Sequence, residues 1–354
     1  MKRILLVLAA FGMFAANAQK VDLDRTFFNT KAVRLPDKYL GDEYKTFAVS
    51  VTKTRGIEFA LTQPLEGKIG VEGWKRVDGK GHLTIQASFE DLIIESNNVV
   101  ERIDEKKDQS GKVTSRTYWY KAVVVYSFKG FASVVDYKTG KSALLVSMMG
   151  RDQKGKYETG EYNSSQAANN FFANNQMELK TTWINNMVDA CLAKLNTELA
   201  NNFGYPVETI NDKLWALDQK KSPEYEPYKQ ALENAKTQLA ALNPNSNITP
   251  EVKALFASSI SYFESLYQKN TVVEDKNQKK LRYAAYYNLA TIYFFLDDLE
   301  NAKKYADLLI KNDYDTSDGE YYIKASDKMK AKFDAAKVNT RHFTFDISTA
   351  VAPN

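Results

Sequence analysis

Apolar residues recur at every second position up to about residue 149 and at every third or fourth position from about residue 164. A strand buries alternate residues and a helix buries a 3.6-residue stripe, so one kind of element cannot satisfy both patterns. The chain is therefore expected to be α+β, with an antiparallel β-rich N-terminal domain over 19–150 and a helical remainder. Leu83-Thr84-Ile85-Gln86-Ala87-Ser88-Phe89 alternates strictly, which places Leu83, Ile85, Ala87 and Phe89 on one buried sheet face. Phe47-Ala48-Val49-Ser50-Val51 and the aromatic and β-branched run 118–128 predict further strands. Tyr137-Lys138-Thr139-Gly140 is turn chemistry and predicts a hairpin joining 131–136 to 142–148. The polar stretch 104–112, with Gly111 near its end, is expected at the exposed tip of a long hairpin joining 92–103 to 113–126.

After a polar loop at 151–163, Ile184, Met187, Val188, Cys191, Leu192, Leu195 and Leu199 form one apolar stripe. Ser164 or Ser165 can cap its start, and Gly204 followed by Pro206 ends it. The span 164–204 is thus one long helix of roughly 50 Å, or two helices broken near Asn174-Asn175. From 224 to 338 shorter helices are expected over 226–242, 249–268, 279–296, 298–311 and 320–338. Thr249-Pro250-Glu251 starts one of them as a cap followed by Pro in the first turn. The tail 339–354 carries one alternating piece, Phe343-Thr344-Phe345-Asp346-Ile347, which predicts a strand returning to a sheet edge.

Residues 1–18 combine Lys2 and Arg3, an apolar run over 4–16 and the small-x-small triplet Ala16-Asn17-Ala18. This is a secretory signal, with cleavage expected before Gln19. The run is shorter than the approximately 20 apolar residues that span a bilayer. No Cys follows the cleavage site, so no lipoprotein anchor is expected. The chain is read as exported, in the periplasm or associated with the outer membrane, with no membrane span. Lys and Arg number 48 against 44 Asp and Glu, and the leader takes two of the basic residues with it. A nearly neutral chain with short, interleaved Lys clusters lacks the basic stripe of a nucleic-acid binder.

One Cys and two His cannot build a Cys/His structural zinc site or an internal disulfide. Phosphate-binding glycine loops, the Gly-x-Ser-x-Gly elbow and His-Glu-x-x-His are absent from the sequence, so no catalytic residue, metal ligand or cofactor is assigned. Cys191 lies inside an apolar helix stripe and reads as a small buried hydrophobe. Dispersed carboxylates (Glu90, Asp91, Glu95 and Glu101) are read as solvated strand positions, and the spacing Asp313, Asp315, Asp318 as helix capping. Strand alternation puts Trp119 on one face and Tyr118 and Tyr120 on the other, and an exposed face there would offer an aromatic ligand platform.

The stretch 285–314 resembles a tetratricopeptide repeat. Tyr286, Leu289, Ala290 and Tyr293 match its first helix, and Leu299, Ala302, Ala306 and Leu309 its second. The pattern departs from the family at Asp297, where the turn usually has Gly, at Ala306 and at Tyr314. The strong match covers only these residues, and stacking normally needs about three units. In layout the chain also resembles exported proteins of the Bacteroidota. Residues 126–141, with Val134-Val135-Asp136 and Thr139-Gly140-Lys141 ahead of a long helix, resemble envelope-assembly domains of the curli-secretion-lipoprotein type. The repeat resemblance implies a protein-protein interaction scaffold that binds envelope proteins through its helices, with Tyr286, Tyr293, Lys304 and Lys311 at the partner surface. The alternative is a glycan- or peptide-binding β domain using Tyr118, Trp119 and Tyr120.

Overall fold

Strict alternation at Leu83–Phe89 marks the inner end of the longest strand in the protein. A computed structural model describes residues 21–353, so the leader read at 1–18 lies outside the described residues. In chain order the elements begin with β1 (Leu23–Val33), β2 (Thr46–Lys53), α1 (Arg55–Ala60) and β3 (Lys75–Arg76). β4 (Leu83–Lys107), β5 (Val113–Asp136), β6 (Ser142–Met149), β7 (Lys154–Glu158), α2 (Ser165–Asn202) and β8 (Val207–Leu217) follow. The chain then becomes helical: α3 (Tyr225–Ala240), α4 (Pro250–Ala254), α5 (Ala257–Lys269), α6 (Lys276–Phe295), α7 (Leu299–Asn312) and α8 (Thr316–Ala336). The architecture is α+β, 41% helix and 29% strand.

Two units emerge. The sheet unit comprises Leu35–Pro206 with 345–353, and the helical unit comprises 21–34 with Val207–Thr344. The sequence division had assigned all of 19–150 to the β-rich domain. β1 instead pairs antiparallel with β8 along its whole length, from Leu23 opposite Leu217 to Val33 opposite Val207. β8 went unread because Val-Glu-Thr-Ile-Asn-Asp-Lys mixes polar residues on both faces, and only Leu214 and Leu217 are buried. This ribbon is fixed from α6. Asn288 accepts from the Trp215 backbone N–H at 2.8 Å and donates to its carbonyl at 2.9 Å.

In the sheet unit the strand order is β3-β2-β4-β5-β6, with β7 also on β5. All pairings are antiparallel except that β2 runs parallel to both β3 and β4. That departs from a wholly antiparallel domain. A parallel neighbour needs a crossover, and the segment between β2 and β4 that holds α1 and β3 supplies one. The long hairpin is present, with strands that run further than its sequence tip suggested. β4 and β5 stay paired to Lys107 opposite Val113. The Asp108 carboxylate closes the turn by accepting from Ser110 and Lys112 backbone N–H groups, and Gly111 sits at φ +83°.

α2 is a single helix. Ser164 accepts from the Ala167 N–H at 3.2 Å, and Asn175 turns its amide back onto the Phe171 carbonyl at 2.7 Å, so the two Asn residues sit inside the helix without breaking it. Ile184, Val188, Cys191, Leu192, Leu195 and Leu199 are buried against the sheet, chiefly β4, β5 and β6. Trp183 anchors one end of this contact, stacked on Tyr126 with ring centroids 4.4 Å apart and flanked by Phe172 and Tyr157.

The helix expected over 249–268 divides at Leu255-Phe256 into α4 and α5. Asn234 of α3 captures the Leu255 carbonyl at 3.2 Å while Phe256 buries completely, which replaces helix continuation with tertiary contacts. α6 and α7 join through a turn in which Asp297 takes φ +56°, the left-handed region where glycine is commonest. Its carboxylate accepts from Arg341 Nε at 2.7 Å, the Arg341 N–H at 2.6 Å and Thr340 Oγ1 at 2.9 Å. No strand forms over 343–347. The Phe343 N–H donates to the Pro244 carbonyl and Thr344 Oγ1 to the Asn245 carbonyl, isolated bonds in place of a ladder.

Candidate functional site: an aromatic groove in the helical unit

The end of α5, the loop after it, the start of α6 and the end of α7 converge on a groove. Its organiser is Arg282, almost fully buried. Its guanidinium donates to Asn312 Oδ1 at 2.9 Å and to the carbonyls of Asn270 at 2.8 Å and Val272 at 3.0 Å. Asn312 in turn donates to the Lys279 carbonyl at 2.9 Å. These bonds hold loop 270–273 against α6 and the last turn of α7. They leave a cavity of about 400 Å³ lined by Tyr267, Asn270, Arg282, Tyr286, Leu308 and Lys311, among others.

Tyr267 and Tyr286 are the cavity's aromatic lining, and Tyr305 and Tyr293 pack behind them. Tyr286 and Tyr267 have centroids 4.9 Å apart, Tyr267 and Tyr305 6.3 Å, and Tyr305 and Tyr293 stack at 5.5 Å with planes 7° apart. Tyr305 donates its hydroxyl to Glu264, and the Lys304 ammonium lies 4.9 Å from the Tyr305 centroid. Burial pushes the Tyr293 phenol up to about 12 and raises that of Tyr286, so both remain neutral hydroxyls. Lys311 is exposed, and among the described residues its ammonium has no hydrogen-bond or ion-pair partner. Of the four residues assigned from sequence, Tyr286 and Lys311 line the cavity, while Tyr293 and Lys304 meet around Tyr305. Sequence reasoning missed Tyr267, Arg282, Tyr305 and Leu308. Tyr305 falls three residues after Ala302 on the buried face of α7, but Arg282 reads as one more charge near a helix start.

The β-domain residues are divided. Strand register sets Tyr118 opposite Ile103 and Tyr120 opposite Glu101, while Trp119 faces the other way opposite Arg102. Trp119 donates its indole N–H to Asp104 at 3.0 Å, and Arg102 bonds Glu161 at 2.8 Å. Tyr118 and Ile103 are both exposed, and the three aromatics share no single platform.

Other titratable groups are engaged locally. Glu90 pairs with Lys129 at 2.7 Å, and Glu95 with Lys154 at 2.7 Å, each pair holding its carboxyl below the usual range. Asp91 accepts from Thr54 at 2.5 Å. Asp315 caps α8, Asp313 ends α7 at φ +52°, and Asp318 accepts the Tyr283 hydroxyl. His82 shares a 2.6 Å hydrogen bond with Thr46, and His342 Nδ1 lies 3.1 Å from the Asn243 carbonyl. Burial pushes the Cys191 thiol up to about 11. Among the described residues no group of three or more His, Cys, Asp or Glu is placed to hold a metal ion, and no helix is long and apolar enough to cross a membrane.

The chain matches no known protein family, and no match emerges among the curated proteins.

Proposed function

We propose that this is an exported, non-enzymatic binding protein of the cell envelope whose helical unit captures an extended segment of a partner protein. The observation that carries the reading is the groove itself: a preformed, partly apolar cavity with an aromatic lining and an unpartnered ammonium at its rim. Binding sites combine an apolar lining with a few placed polar groups, and here Arg282 fixes the wall before any ligand arrives. The chemistry suits a partner segment with an apolar side chain against Tyr267, Tyr286 and Leu308 and an acidic group beside Lys311. Lys304, packed over Tyr305, extends the same charge preference.

Chemical crosslinking in intact source cells, followed by envelope fractionation and mass spectrometry, tests the proposal. Wild type and a Lys304→Glu/Lys311→Glu variant are compared. Lys311 is exposed and makes no ion pair among the described residues, so its reversal should leave folding within about 0.5 kcal/mol. Reversal of Lys304 also gives up its contact with the Tyr305 ring, about 0.5–1 kcal/mol, which circular dichroism of the variant checks. The expected result is a reproducible protein partner that the variant loses. A partner set unchanged in the variant, or recovery only on polysaccharide, would refute the groove as the capture site.

A further inference from the structure

Residues 345–353 belong to the sheet unit, yet among the described residues no backbone-to-backbone hydrogen bond ties them to its strands. They are held as a ligand would be, by side chains. Phe345 stacks on Tyr205 with centroids 4.3 Å apart and planes 20° apart. The slot depends on Gly73, at φ +79°. A Cβ there would lie 3.0 Å from Tyr205 Cβ and 3.4 Å from Phe345 Cδ1, against the rings that form the stack. The Lys45 ammonium lies 5.9 Å from the Phe345 centroid. Five residues later, Ala350 is buried and its carbonyl accepts from Lys75 Nζ at 3.0 Å. Between these anchors the segment folds on itself, Ser348 N–H onto Asp346 and Ala350 N–H onto the Ile347 carbonyl.

This small segment underfills its site. A cavity of about 580 Å³ remains between Thr349–Pro353 on one side and Asp42, Glu43, Lys45, His82 and Tyr137 on the other. Side chains longer than those of Thr349 and Val351 have room there. We propose that this face of the sheet unit is a peptide-recognition site for a segment with an aromatic residue followed five positions later by a small one. The chain's own residues 345–350 fill it as an intramolecular ligand. A tethered segment acts at an effective concentration of about 1 mM, so one with an intrinsic Kd of about 30 µM weakens any competing ligand roughly thirtyfold in the intact chain.

The test uses the full chain with Phe345→Ala, which empties the slot, and a fluorescein-labelled peptide of residues 344–353 followed by fluorescence anisotropy. The expected result is at least tenfold tighter binding to the variant than to wild type. A peptide carrying Ala at the position of Phe345 should bind at least tenfold more weakly, and Lys75→Met in the Phe345→Ala background should weaken binding several-fold. A chain ending at Thr344 serves as a second emptied form if Phe345→Ala perturbs folding by circular dichroism. Equal binding to emptied and wild-type chains, or indifference to the peptide's Phe, would overturn the proposal.

Discussion

Replacing Arg341 with Met should destabilise the helical unit far more than its position in the C-terminal segment suggests. Arg341 and Asp297 form an ion pair whose side chains are 6% and 2% exposed. Arg341 also donates to the Phe294 carbonyl at 2.7 Å and packs over the Phe294 ring at 4.8 Å, and its own carbonyl accepts from Val33. Arg341→Met leaves the Asp297 carboxylate buried with two weaker donors. Removing one partner of a buried pair costs about 3–5 kcal/mol because the remaining charge is uncompensated. Native-state hydrogen exchange at α6 and α7 amides reads that loss in the helical unit alone. At a factor of ten per 1.4 kcal/mol, exchange limited by unfolding should accelerate about a hundredfold to several-thousandfold. Adding Asp297→Gly removes the stranded charge and places at φ +56° the residue most tolerant of that conformation. The double variant should therefore be more stable than Arg341→Met alone, with about 2 kcal/mol lost from wild type, chiefly from hydrogen bonds left unmade. A cost below about 1 kcal/mol for the single variant, or simple additivity of the two changes, would refute this reasoning.

Three further outcomes follow from the packing. Trp183→Ala removes the ring stacked on Tyr126 and should cost about 3–5 kcal/mol in urea titrations of the sheet unit; a loss under 1 kcal/mol would contradict the role given to it. Cys191, buried with its thiol raised to about 11, should react with a disulfide reagent at least about a hundredfold more slowly in the native protein than in urea. Burial lowers the pKa of His342 below 6.5, so the unfolded chain binds its proton first as pH falls. Stability of the helical unit should accordingly be full above about pH 6.5 and decline below it until the folded-state pKa is passed, a decline that His342→Gln should flatten in pH-dependent melting.

Periodicity carried the sequence reading wherever one face of an element is buried. Leu83–Phe89, the α2 stripe and the core of α7 were legible because every second, or every third to fourth, residue enters a core. β8 was not, since it is a ribbon strand with few buried positions, matched to β1 across 174 or more residues of sequence. The break at Leu255 was equally hidden, because its cause is an amide on a different helix. At the groove, Tyr286 was accessible from repeat-like spacing, whereas Arg282 acquires its role only when loop 270–273 folds back over it. Asp297 departs from the usual repeat turn for a reason that lies 44 residues away, in Arg341.

The groove's role is tested most directly by placing a photocrosslinking amino acid at Leu308, inside the cavity, and at Tyr321, exposed and away from it, in the full-length protein expressed in source cells. The account predicts a discrete partner adduct from position 308 that is absent from position 321 and lost when Lys304 and Lys311 are reversed to Glu. The same adducts from both positions, or a position-308 adduct indifferent to the lysines, would contradict it.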